Sequence, residues 1–109
     1  MKMQSMLVVL LACILGMVMA EDFCVYYYKN PNYQDEAGFT CASVNPGETF
    51  GSHSANLDVR SFKAPEWLQV TLYSKYYWGG KSVSFTGQQG DINPGFTVHS
   101  VRVKNTKTA

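Results

Sequence analysis

The stretch Leu68-Gln69-Val70-Thr71-Leu72-Tyr73, followed by Trp78-Gly79-Gly80-Lys81-Ser82 and closed by Val98-His99-Ser100-Val101-Arg102-Val103, decides how this chain folds. Leu68, Val70 and Leu72 alternate with Gln69 and Thr71, the period of a strand with one buried face. Lys81-Ser82-Val83-Ser84-Phe85 alternates again beyond the Gly-Gly pair, and Thr97-Val98-His99-Ser100-Val101-Arg102-Val103 is a further strand. The same pattern returns nearer the N-terminus. Setting Tyr28 over Tyr73, an offset of 45, superposes Phe23 on Leu68, Val25 on Val70, Tyr27 on Leu72 and Tyr33 on Trp78. A second match, at an offset of 48, joins Val44-Asn45-Pro46-Gly47-Glu48-Thr49-Phe50 to Ile92-Asn93-Pro94-Gly95-Phe96-Thr97-Val98. A half of about four strands cannot bury a sheet face alone, so the two halves predict one all-β sandwich of about eight strands.

The repeat also sorts the faces. Phe23, Val25 and Tyr27 match Leu68, Val70 and Leu72 and are expected to point inward, while Cys24 and Tyr26 match Gln69 and Thr71 and are expected outside. Asn30-Pro31-Asn32, Asn45-Pro46-Gly47 and Asn93-Pro94-Gly95 read as turns. A helical turn is suggested only near Ala64-Pro65-Glu66, which separates the halves at about 22–64 and 67–104.

The first twenty residues are a different object. They hold all five Met, one of the three Cys and a single charge, Lys2, whereas all fifteen aromatics lie beyond them. A short basic start, an apolar run over 6–19 and Val18-Met19-Ala20 read as a secretory signal peptide covering 1–20. The rival readings are a membrane anchor, for which the run is shorter than the roughly 20 residues a span needs, and lipoprotein processing at Leu10-Leu11-Ala12-Cys13. Cleavage leaves one domain over 21–109 with eight basic and eight acidic side chains. A neutral domain neutralises few phosphates, so nucleic acid is not an expected partner. Arg102, Lys104 and Lys107 read as a solvated strand end and tail. Composition also argues against a disordered chain, a coiled coil and collagen. Cys24 and Cys41 are bound for an oxidising compartment, where a disulfide is the default and free thiols or a metal pair are the exceptions. No Asn-x-Ser/Thr acceptor is present.

The quoted stretch resembles the βγ-crystallin Greek-key motif: an aromatic, a second aromatic five residues on, a Gly two further and a Ser in the last strand. Tyr73, Trp78, Gly80 and Ser100 fill all four places. The first half fills three with Tyr28, Tyr33 and Ser61, and has Asp35 where the Gly stands. That Gly position requires positive φ, which Asp tolerates at modest cost. The resemblance implies a two-motif Greek-key β-sandwich in which Ser61 and Ser100 tie the last strand to the folded hairpin. It covers nearly all of 23–103. It implies a secreted, non-enzymatic, monomeric protein that acts by binding or as a stable extracellular structural module. Secreted single-domain members of this family include killer-toxin-like antifungal proteins and a metalloproteinase inhibitor, and residues 91–100 resemble the closing segment of the killer-toxin-like type, although that type usually carries more Cys.

Many members of the family bind calcium through a loop of two Asn/Asp, two variable residues and Ser/Thr-Ser. Asn56-Leu57-Asp58-Val59-Arg60-Ser61 is a degenerate copy, leaving Asn56, Asp58 and Ser61 as calcium candidates. Arg60 stands where a hydroxyl would coordinate, and calcium takes roughly six to eight oxygens. The second copy, Gly95-Phe96-Thr97-Val98-His99-Ser100, keeps only Ser100. No cofactor is therefore expected. His53 and His99 are far apart with no nucleophile motif around either, and no pair of carboxylates is singled out, so catalysis has no support. Tyr26, Tyr76 and Tyr77 have no motif or core role. They are the candidate surface for a protein, glycan or cell-surface partner, against the alternative of cross-strand packing on the outer face.

Overall fold

A computed structural model describes residues 19–108. The leader read over 1–20 therefore lies outside the described residues except for its last two. Seven strands follow in order: β1 (Glu21–Asn30), β2 (Gln34–Val44), β3 (Thr49–Leu57), β4 (Ser61–Lys63), β5 (Leu68–Lys75), β6 (Gly79–Thr86) and β7 (Val98–Asn105). They form two antiparallel sheets, ordered β2-β1-β4 and β3-β7-β5-β6. β3 leaves the sheet of its own half and pairs with β7, which is the crossing that makes a Greek key.

The alternation read from the sequence orients both central strands. Phe23, Val25 and Tyr27 on β1 face Leu68, Val70 and Leu72 on β5 across a shared core, all at most 4% exposed. Phe62, Val101 and Val103 complete the layer. Cys24 and Cys41 are directly opposite on β1 and β2 and are joined by a disulfide on the outer face. This is the surface staple that the register requires.

The eighth strand is reduced to a bridge. Residues 87–92 run beside β4, where Phe62 and Gln89 exchange both backbone hydrogen bonds, 2.9 and 3.0 Å, and Ile92 N donates to Arg60 O at 2.8 Å, but the register is too irregular for a ladder. Gly87 and Gly90 interrupt the segment and offer no side chain to pack on a sheet face, so its strand propensity is low. The offset-48 match does not mark equivalent positions. Asn45-Pro46-Gly47 leads into β3 and Asn93-Pro94-Gly95 into β7, and these strands are antiparallel neighbours rather than counterparts. Turn chemistry recurs wherever a chain reverses, which is why the two stretches look alike. The expected helical turn near 64–66 is also displaced. Glu66-Trp67 form a plain turn, and among the described residues the short helical piece is a 3₁₀ turn at Tyr76–Trp78.

The C-terminal charges do more than solvate a tail. Arg102 lies over the Trp78 ring at 4.5 Å. Lys107 pairs with Glu21 at 2.9 Å and lies over Trp67 at 5.0 Å. Between them Asn105, fully buried, donates to Val44 O at 3.1 Å and clamps the β2–β3 turn onto β7.

Candidate functional site

The two halves close their hairpins in the same way. Ser61 Oγ donates to Asn30 O at 2.6 Å and accepts from Tyr33 N at 3.0 Å. Ser100 Oγ donates to Lys75 O at 2.6 Å and accepts from Trp78 N at 3.0 Å. Asn30 and Lys75, like Tyr33 and Trp78, are 45 residues apart, so the repeat holds atom for atom. The hairpin backbone turns left-handed at matching places: Asn32 and Tyr33 at φ 60° and 61°, Tyr77 and Trp78 at φ 56° and 57°. Asp35 at φ 62° stands where Gly80 stands at φ 76°, and its carboxylate accepts from the Asn30 side chain. Tyr28 and Tyr33 meet edge to face at 5.8 Å.

Trp78 is held on every side. Its indole N–H donates to Val101 O at 3.1 Å, Arg102 covers one part of the ring, and His53 stacks at 5.1 Å. Gly51 seats it, since a Cβ there would lie 2.2 Å from the ring. Gly51 is a required residue that no motif pointed to. Its signal would have been a glycine in a strand interior, which marks a close approach.

Tyr76 and Tyr77 stand outside the core. Tyr77 is 79% exposed and Tyr76 is 49% exposed. His53 touches both, with ring centroids 4.6 Å from Tyr77 and 5.9 Å from Tyr76, and its Nδ1 accepts from Tyr77 N at 3.4 Å. His99 meets Tyr76 at 5.0 Å. The two histidines, separate in sequence, thus bracket one tyrosine. Tyr26 lies elsewhere, on the outer face of the other sheet, paired across strands with exposed Phe39 at 6.2 Å.

His53 also walls a groove of about 520 Å³ where the edges of β2 and β3 face each other. Along it Tyr27 Oη and Thr40 Oγ1 are 3.0 Å apart, and Thr40 Oγ1 is 3.4 Å from Ser52 Oγ. This row of hydroxyls crosses from one sheet to the other. Burial pushes the Tyr27 phenol up to about 12, despite the opposing hydrogen bond from Thr40, so it stays neutral at any ordinary pH. Phe39 and Phe50 supply apolar walls, and among the described residues no Asp, Glu, Lys or Arg lines the groove.

The calcium candidates do not come together as a cage. Asn56 and Asp58 are exposed, whereas Ser61 is buried with its hydroxyl already bonded twice. Asp58 shares a second groove with Thr97, which donates to it at 3.5 Å, but Lys29 and Arg60 line the same space. Arg60 donates from Nε to Ile92 O at 2.7 Å and reaches Asp91 at 3.5 Å. A fixed guanidinium at a coordinating position and so few free oxygens do not fit a calcium ion. Among the described residues, no group of three or more His, Cys, Asp or Glu could hold a metal.

No family model matches the sequence, and no curated protein matches it. Solved structures do. A βγ-crystallin domain from Flavobacterium johnsoniae superposes with TM-score 0.56 at 21% identity, over 78% of this chain and 98% of that one. A βγ-crystallin domain from Clostridium beijerinckii gives 0.56 at 20% identity, over 76% and 99%. Hahellin, a βγ-crystallin, gives 0.52 at 16% identity, over 82% and 98%. The chain has the βγ-crystallin Greek-key fold.

Proposed function

We propose that this chain is a secreted, non-enzymatic module of βγ-crystallin fold that binds an extracellular partner through the tyrosine face at the 3₁₀ turn. The observation that carries the reading is Tyr77: a bulky aromatic on left-handed backbone, 79% exposed, with its ring braced by His53. A ring presented to solvent at a cost in backbone energy serves contact rather than packing. Secretion is supported by the leader pattern and by the Cys24–Cys41 disulfide; among the described residues no helix is long and apolar enough to cross a membrane. The non-enzymatic reading is supported by the kind of domain that shares the fold. Toxin-like or inhibitor-like action is a form that such binding would take.

The test is a printed array of extracellular proteins and glycans probed with the purified protein and with the Tyr76→Ala/Tyr77→Ala variant. Binding by the parent, lost in a variant of equal melting temperature, supports the reading. Absence of binding by the parent, or equal binding by both, overturns it.

A further inference from the structure

The internal repeat provides a control for the residues at the 3₁₀ turn. The same hairpin backbone occurs twice, built from Pro31-Asn32-Tyr33 in one half and Tyr76-Tyr77-Trp78 in the other. Asn is one of the few residues that visits left-handed backbone readily, and the first half uses it there. The second half places Tyr at that position and leaves the ring in solvent. The hairpin therefore does not account for Tyr76 or Tyr77.

What lies beside them narrows the ligand. The β2–β3 groove opens next to the tyrosines, with His53 forming the shared wall. Its floor carries the Tyr27, Thr40 and Ser52 hydroxyls, its sides carry Phe39 and Phe50, and its volume suits a small-molecule-sized group. Hydroxyl donors and acceptors beside aromatic faces match a sugar ring, whose hydroxyls exchange hydrogen bonds while its C–H groups rest on the electron-rich ring face. The three hydroxyls already bond to one another, and an apolar protein side chain in the same groove would leave their remaining hydrogen-bonding capacity unused, whereas a sugar hydroxyl would extend the row. A phosphate or an acidic polysaccharide would meet no Lys or Arg among the residues that line the groove.

We infer that the β2–β3 groove and the Tyr76–Tyr77 shelf, joined at His53, are successive subsites for a neutral oligosaccharide. This rests on the proposed binding role and names its ligand class. One sugar unit occupies the groove against Thr40 and Ser52, and the next stacks on Tyr77.

The experiment is isothermal titration of the purified protein with neutral cello-, xylo-, manno- and chito-hexasaccharides, with a heparin hexasaccharide as the acidic comparison. The expected result is saturable binding of at least one neutral hexasaccharide and none of heparin. Tyr77→Asn, which keeps a residue suited to the backbone, should lower that affinity at least tenfold with no loss of melting temperature, and Ser52→Ala should lower it severalfold. Failure of every neutral hexasaccharide to bind, preference for heparin, or undiminished affinity in Tyr77→Asn overturns the inference. If the array instead shows tyrosine-dependent binding to protein spots alone, the binding role stands and the carbohydrate assignment falls.

Discussion

Tyr77 occupies in the second half of the chain the left-handed backbone position that Asn32 occupies in the first, at φ 56° against φ 60°. Left-handed backbone costs an ordinary L-residue roughly 1–2 kcal/mol, and Asn less because its short polar side chain bonds locally. Tyr77→Asn is therefore expected to hold or raise stability, by up to about 1 kcal/mol, measured as a higher urea midpoint. A substantial loss would show that the exposed ring, through His53, supports the fold after all.

The two motif serines make the same pair of hydrogen bonds in different sheets. Replacing either by Ala strands a backbone N–H and a carbonyl inside a closed hairpin, so each substitution should cost about 1–3 kcal/mol. Ser61 and Ser100 share no partner, so the double variant should lose about the sum. Urea unfolding of the three variants checks both points; a near-zero effect at Ser61 alone would mean that the Asp35 hairpin is held by other contacts.

The disulfide closes a loop of 17 residues between strands that are already paired. Loop entropy sets its contribution at about 3 kcal/mol. Reduction, or Cys24→Ser/Cys41→Ser, should lower the melting temperature by roughly 10–20 °C and leave the far-ultraviolet spectrum unchanged below the transition, because the β1–β2 ladder does not need the bridge to form.

Calcium should not stabilise this domain. Arg60 fills a coordinating place and is itself bonded to Ile92 O, while Ser61 Oγ is engaged with Asn30 and Tyr33. Melting temperatures in millimolar calcium and in chelator are expected to coincide. A rise with calcium would mean that Asp58, Thr97 and carbonyl oxygens assemble a site that displaces Arg60.

The fold was legible because the repeat is carried by residues whose roles are local. Alternation orients β1 and β5 wherever they sit, and the aromatic–aromatic–Gly–Ser spacing is set by one hairpin and the strand that closes on it. Offset 45 therefore placed the inward face, the outward disulfide and the hairpin aromatics correctly. What depends on tertiary placement was not legible. Residues 87–92, broken by Gly87 and Gly90, meet β4 through a bridge rather than a ladder, and two similar Asn-Pro-Gly turns precede non-equivalent strands. The site divided in the same way. Tyr76 and Tyr77 stood out as aromatics without a motif role, but His53, Ser52 and Thr40 joined them only when β2 and β3 were brought edge to edge from different sheets. Tyr26 carried the same sequence signal, yet it pairs across strands with Phe39 of β2 and not with the 3₁₀ turn.

Tyr27 offers a pH test of the groove floor. Its phenol is 1% exposed and is raised from 10.0 to about 12 by burial, with the Thr40 hydrogen bond opposing. Below pH 10 this group is protonated in both folded and unfolded chains and contributes no pH dependence. Between about 10 and 12 the unfolded chain has released the proton and the folded chain has not, so this group's contribution to stability falls as pH rises. The loss approaches about 1.4 kcal/mol per pH unit, roughly 2–3 kcal/mol across the window. Urea midpoints measured from about pH 9 to about pH 11.5 should decline, and Tyr27→Phe, whatever its stability near neutrality, should flatten that decline because it removes the titrating hydroxyl. An equal slope in Tyr27→Phe would mean that the alkaline sensitivity does not arise from burial of the Tyr27 phenol.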